Sequence, residues 1–175
     1  MSKEIGGRVN RRQLLRHTAA AGIGFWLAHG ASAAESRSPN EKLNLAFVGC
    51  AGRGSANLGA LRSQNVVALC DADQLRAGPA FEQHPQAKRF SDFRRMLDQM
   101  SGEIDAVVVS APNHIHAPAS VTAMRLGKHV YCEKPLTHSV YEARVAAQVA
   151  AEKRVATQMG TQIHAEKNYR RAIEM

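Results

Sequence analysis

The segment Gly49-Cys50-Ala51-Gly52-Arg53-Gly54 sets three small residues at the spacing G-x-A-x-x-G, and Asp71 lies 22 residues after Gly49. Small residues so spaced let a pyrophosphate approach the backbone. A helix starting there adds free N–H groups and a partial positive charge. A carboxylate at the distance of Asp71 suits both hydroxyls of a ribose and repels a phosphate on its 2′ position. Ala51 stands where a middle glycine is usual and narrows the approach, while Gly52 beside it adds freedom. Taken alone, the loop also reads as an ordinary tight turn between strand and helix, and Asp71 as a helix cap.

Two further groups carry chemistry. Pro112, Asn113, His114 and His116 fall in one short polar segment, and Glu133-Lys134-Pro135 ends an apolar run. A lysine at a strand end can orient a substrate hydroxyl and stabilise developing charge. The same three residues also read as a solvated turn. His114 and His116 invite a metal, but no third ligand falls at a sensible spacing, so no metal is expected.

The elements that must position these residues follow from apolar patterning. Short apolar runs at Leu43–Val48, Val66–Cys70, Ile104–Ser110, His129–Cys132 and Val155–Met159 read as buried strands. Between them fall helical stretches. Ser55–Arg62 follows the glycine loop. Ser91 or Asp92 caps a helix with Phe93, Met96, Leu97 and Met100 on one face. Ala111–Ala117 reads as a loop, and Pro118 opens a helix that Gly127 ends. Ser139 and Glu142 form a capping box for a helix reaching Lys153. The stretch around Gly78-Pro79 and His84-Pro85 shows no clear element. Alternating strand and helix predicts an α/β fold with a doubly wound parallel sheet, whose ligands sit beyond the strand C-termini. In that frame the glycine loop and Asp71 predict a dinucleotide, NAD(H) in preference to NADP(H). Arg53 or Arg76 leaves room for NADP(H).

Composition narrows the remaining classes. The chain has 175 residues and a net charge of +8, with 45% apolar and 5% aromatic residues. No apolar run approaches the roughly 20 residues of a membrane span. Residues 1–33 hold five basic residues against Glu4, half of the net charge. Arg11-Arg12 precedes Thr18–Ala28, a short apolar run, and then Ala31-Ser32-Ala33, a small-x-small pattern. This reads as a twin-arginine export signal over 1–33, with Leu14 replacing the usual Phe, followed by a linker over 34–41. The expected destination is the periplasm, reached through the twin-arginine machinery. The remaining basic residues are scattered, without the aromatic-studded stripe of a nucleic-acid binder, so nucleic acid is not an expected partner. Cys50, Cys70 and Cys132 each close an apolar run and read as buried small hydrophobes.

The succession of the glycine loop, Asp71, V-S-A-P-N-H-I-H-A and G-K-H-V-Y-C-E-K-P-L resembles the Gfo/Idh/MocA oxidoreductases, over about Lys42 to Met159. The Glu-Lys-Pro with its Gly-Lys-His-Val lead-in is the specific part. The continuation G-T-Q-I-H-A-E-K-N-Y-R-R resembles exported bacterial members. The resemblance implies hydride transfer between a nicotinamide and a sugar, cyclitol or related polyol. It places Gly49, Ala51, Gly52, Arg53 and Gly54 at the pyrophosphate, Asp71 at the ribose, and Pro112, Asn113 and His116 near the nicotinamide. Glu133 and Lys134 become the cofactor- and substrate-facing pair, with Lys134 catalytic, and since the family's Lys-Pro bond is often cis, the resemblance extends that expectation to Lys134-Pro135. It also implies a second α+β domain that supplies proton-transfer residues, substrate selection and a homo-oligomer interface. The chain stops at Met175 within an expected helix, Glu166–Glu174, so 160–175 reads as the start of that domain and the chain as truncated. A non-catalytic nucleotide-binding module or an inactive fragment is the alternative.

Overall fold

The computed structural model describes residues 42–162. The expected export signal and linker over 1–41, and the expected helix over 166–174, lie outside the described residues. Among the described residues six strands alternate with five helices. They are β1 (Asn44–Val48), α1 (Arg53–Ala60), β2 (Asn65–Cys70), α2 (Gln74–Gln83), β3 (Lys88–Phe90), α3 (Phe93–Met100), β4 (Ala106–Val109), α4 (Asn113–Arg125), β5 (His129–Glu133), α5 (Val140–Lys153) and β6 (Thr157–Gly160).

The strands form one parallel sheet in the order β3-β2-β1-β4-β5-β6. Parallel strands buried on both faces need apolar residues at successive positions, which is why LAFV and AVVV qualify. Ala46 and Val48 face one core, with Met96, Leu97 and Met100 of α3, Ala119, Ala123 and Met124 of α4, and Ala146 and Val149 of α5. Leu45 and Phe47 face the other, with Leu58 of α1 and Ala77, Ala80 and Phe81 of α2. Helices on both faces make the sheet doubly wound, as expected. Fully burying one side chain such as Phe47 contributes about 1.5–3 kcal/mol.

Two expectations needed correction. α2 and β3 occupy the stretch that showed no element. Asp73 starts α2 by accepting the Arg76 N–H at 3.0 Å. The inner face of α2 is formed by Ala77, Ala80 and Phe81, while Leu75 is exposed, so its apolar residues do not all mark the buried side. Pro79 sits inside the helix rather than ending it. Likewise α4 begins at Asn113, not Pro118, so most of the expected loop Ala111–Ala117 is the first turn of a helix with Pro112 at its N-cap. The other starts follow the expected chemistry. Asp92 caps α3, and Ser139 and Glu142 form the capping box of α5.

Candidate functional site

Chain order reverses between β1 and β4, the central neighbours of the sheet. Their C-terminal loops therefore diverge and leave a crevice above the sheet. The two loops meet closely at its floor. Ser110 donates its N–H to Val48 O at 2.8 Å, and a Cβ at Gly49 would lie 2.7 Å from the backbone of Ser110 and Ala111. Gly49 also holds φ +87°, a left-handed conformation that favours glycine. A Cβ at Gly54 would collide with the Gly49 carbonyl, so the loop folds back on the start of α1 only without a side chain there. At Gly52 a Cβ would meet nothing within 4 Å, so open space lies above the turn.

That space is the mouth of a 570 Å³ cleft. It is lined by the glycine loop, by Asp71, Asp73 and Arg76 after β2, by Asp92, Phe93 and Arg94 after β3, and by Ala111, Pro112 and Ile115 after β4. Asp71 is anchored there. Its Oδ2 accepts the Cys50 N–H at 2.8 Å and its Oδ1 the Asp73 N–H at 3.0 Å. Each oxygen keeps a further lone pair, enough to accept a ribose hydroxyl.

The helix starts around the cleft fall into two kinds. α2 and α3 begin on aspartates whose side chains cap them. α1 and α4 begin on Gly52 and Pro112, with no side-chain cap. The first amides of such helices lack intrahelical acceptors and carry the positive end of the helix dipole. The uncapped pair flanks the reversal point, where a diphosphate would find donors, and the capped, acidic pair lies on the Asp71 side of the cleft. The cradle thus fits a dinucleotide in size, in open backbone approach and in donor placement.

The sequence-predicted residues divide on inspection. Gly49, Ala51, Gly52, Arg53, Asp71 and Pro112 line the cleft, and Gly54 is buried under the loop. Asn113 is exposed at the first position of α4. His116 is buried, with Nδ1 2.6 Å from Pro135 O and Nε2 2.7 Å from Ala111 O, so its ring spans the loop after β4 and the turn after β5. Lys134 is exposed at that turn, and Lys134-Pro135 is cis.

Glu133 is buried at the end of β5 and is not among the residues lining the cleft. Its Oε1 accepts from Asn57 Nδ2 at 2.9 Å and from Gln162 Nε2 at 2.9 Å, and Arg53 Nε lies at 4.0 Å. Burial pushes this carboxyl toward the neutral form. The bonds from Asn57 and Gln162, the Arg53 charge and Tyr131 outweigh it and hold the group below the usual carboxylate range. Asn57 was not singled out in the sequence, although it falls four residues after Arg53, on the same helix face. Gln162 follows β6 beyond the expected boundary at 159, and no local spacing links it to Glu133.

Fold and cleft together define a dinucleotide-binding Rossmann domain. The chain belongs to the Gfo/Idh/MocA family: residues 43–161 match the model described as "Oxidoreductase family, NAD-binding Rossmann fold". It is 32% identical over 156 residues to a glycosyl hydrolase family 109 protein of Solibacter usitatus, covering 77% of this chain and 35% of that one. Among solved structures, myo-inositol 2-dehydrogenase from Lactobacillus plantarum superposes with a TM-score of 0.68 at 26% identity, over 75% of this chain and 40% of that one. The scyllo-inositol dehydrogenase of Lactobacillus casei, solved with bound NAD(H) and scyllo-inositol, shares the fold with a TM-score of 0.66 at 23% identity over the same shares. The chain thus spans well under half the length of these relatives.

Proposed function

We propose that this domain binds NAD(H) in preference to NADP(H) and serves an oxidoreductase acting on a polyol, sugar or cyclitol. The observation that carries the reading is the placement of Asp71 beside the uncapped start of α1. The α1 amides would receive the pyrophosphate, and Asp71 would accept from the ribose hydroxyls and repel a 2′-phosphate. When bound, the nicotinamide supplies a hydride acceptor or donor at C4. Pro112 would close the nicotinamide end of the cleft, with Asn113 at the helix start beside it. His116 would hold that loop against the turn that presents Lys134, and Lys134 would orient the substrate hydroxyl and stabilise its developing charge. Glu133 would keep Arg53 at the loop from beneath. Inositol dehydrogenases among the related structures support a polyol as substrate.

The binding part is tested on this chain by nicotinamide fluorescence and by thermal shift with NADH and NADPH. A larger shift with NADH is expected, and equal shifts would overturn the preference. The catalytic part is tested on a protein that carries this domain with a substrate domain, by following NADH formation with a panel of polyols.

A second reading, hydrolysis of a glycosidic bond, is favoured by the Solibacter relative, whose match covers 77% of the chain. Hydrolysis leaves the nicotinamide unchanged overall. Release of a free sugar without NADH accumulation separates the two. A non-catalytic nucleotide-binding module would bind NADH and do neither.

Export is part of the proposal and rests on Arg11-Arg12, the apolar run after it and Ala31-Ser32-Ala33. Arg11-Arg12→Lys-Lys is expected to keep the protein in the cytoplasm of a bacterial host. Continued export of that variant would remove the twin-arginine route.

A further inference from the structure

The ribose side of the cleft holds an ion pair that the reading above does not use. Asp92 caps α3 by accepting the Arg94 N–H on Oδ1 at 2.9 Å. The same carboxylate takes the Arg94 guanidinium twice, Nε to Oδ1 at 3.0 Å and Nη2 to Oδ2 at 2.9 Å. The pair closes on itself within three residues. Its position is tied to Asp71, which donates its N–H to Phe90 O at 3.0 Å, two residues before Asp92. Asp71, Asp92 and Arg94 all line the cleft.

A guanidinium is the side chain best matched to a phosphate, because its fork of N–H donors binds two oxygens at once. Arg94 stands in the right cleft for a 2′-phosphate, yet two of its donors are spent on Asp92. A helix cap needs one carboxylate oxygen and the backbone N–H, and the guanidinium bonds are additional to it. The Arg94 side chain is largely in solvent and Asp92 is about a third exposed, so the pair is screened by water and adds little to stability. The arrangement has its main effect on the charge the cleft offers.

We propose that Asp92 is a second determinant of cofactor choice: by holding Arg94 it denies a 2′-phosphate its guanidinium, while Asp71 repels that phosphate directly. The inference rests on the dinucleotide reading of the cleft. It concerns residues after β3, a strand that the sequence did not announce.

Asp92→Asn separates the roles. An amide oxygen still caps α3, but the charge that holds the guanidinium is gone. Asp92→Ser, also a good cap, serves as a second variant if the first folds poorly. Dissociation constants for NADH and NADPH are read by nicotinamide fluorescence on the full chain at low salt. In Asp92→Asn the NADPH affinity is expected to rise about fivefold relative to NADH, the scale of one exposed charge contact. The gain should vanish when Arg94→Ala is added. An unchanged ratio in both cap variants, or a gain that survives Arg94→Ala, overturns the proposal. Wild-type chain that binds neither NADH nor NADPH overturns the dinucleotide reading itself, and this inference with it.

Discussion

Asn57 and Glu133 lie 76 residues apart in the chain and meet at 2.9 Å, amide to carboxylate, above the sheet. The same amide nitrogen donates to Ser110 Oγ at 2.9 Å, so one side chain of α1 joins the ends of β4 and β5. Arg53, one helical turn earlier, reaches the same carboxylate from the glycine loop. The glycine loop is thereby referenced to two strands on the far side of the crevice.

Stability should report on this junction through pH. The folded state holds the Glu133 carboxyl below its ordinary value, so the stabilisation is present above the unfolded value and is lost as pH falls through the folded one. Urea titrations of wild type and Glu133→Gln should differ at neutral pH and converge in acid. Asn57→Ala should cost about 1–3 kcal/mol, the range for leaving a buried charged acceptor short of a donor. A Glu133→Gln penalty independent of pH would remove the electrostatic account.

The glycines of the loop should respond unequally. Gly49→Ala must place a Cβ 2.7 Å from strand-end backbone at φ +87°, and Gly54→Ala must displace the Gly49 carbonyl. Both should lower the unfolding midpoint and abolish NADH binding. Gly52→Ala has free space, but it must hold φ +55° with ψ −113°, a backbone conformation outside the left-handed helix region that glycine alone adopts readily, at a cost of about 1–3 kcal/mol. Its loss should appear mainly in NADH affinity, because the methyl occupies the open approach. Equal stability losses at all three positions would contradict the packing argument.

Lys134 is exposed, so Lys134→Ala should leave the unfolding free energy within about 0.5 kcal/mol of wild type. In a protein carrying the complete substrate site, the same change should cut turnover by about 100-fold or more while NADH affinity holds. Unchanged turnover would take away its catalytic role.

The three thiols should be silent in the native state. Burial, with the Asp71 charge beside it, pushes Cys50 up to about 12, and burial with the Asp92 and Asp71 charges pushes Cys70 up to about 12. Burial raises Cys132 to about 11. All three are buried and free. A thiol reagent at pH 8 should label none of them until urea unfolds the domain. Fast labelling of any one would contradict its burial.

What could be read in the residues, and what could not, follows the range of the interactions. β1, the glycine loop and β2 ending at Asp71 were legible because apolar runs and small residues act locally. The capping box at Ser139 was legible for the same reason. α2 was not: Gly78-Pro79 and His84-Pro85 interrupt the pattern, and two of its three buried residues are alanines, which mark a buried face only weakly. The start of α4 was misread because Pro118 suits a first turn, yet Pro112 and Asn113 open the helix. Asn57 with Glu133, and His116 with Pro135, depend on which strands become neighbours. No local spacing records that.

The helix starts at Gly52 and Pro112 carry a further consequence. Of the five helices among the described residues, three are started by the protein's own capping side chains, and these two are not. A diphosphate seated between them would complete local secondary structure as well as fill a cleft, so occupancy and helix order become thermodynamically linked. Amide hydrogen exchange should slow on adding NADH at residues 51–54 and 113–115, and far less at the self-capped starts of α2, α3 and α5. Ligand retention would then be written into the fraying of two helix ends.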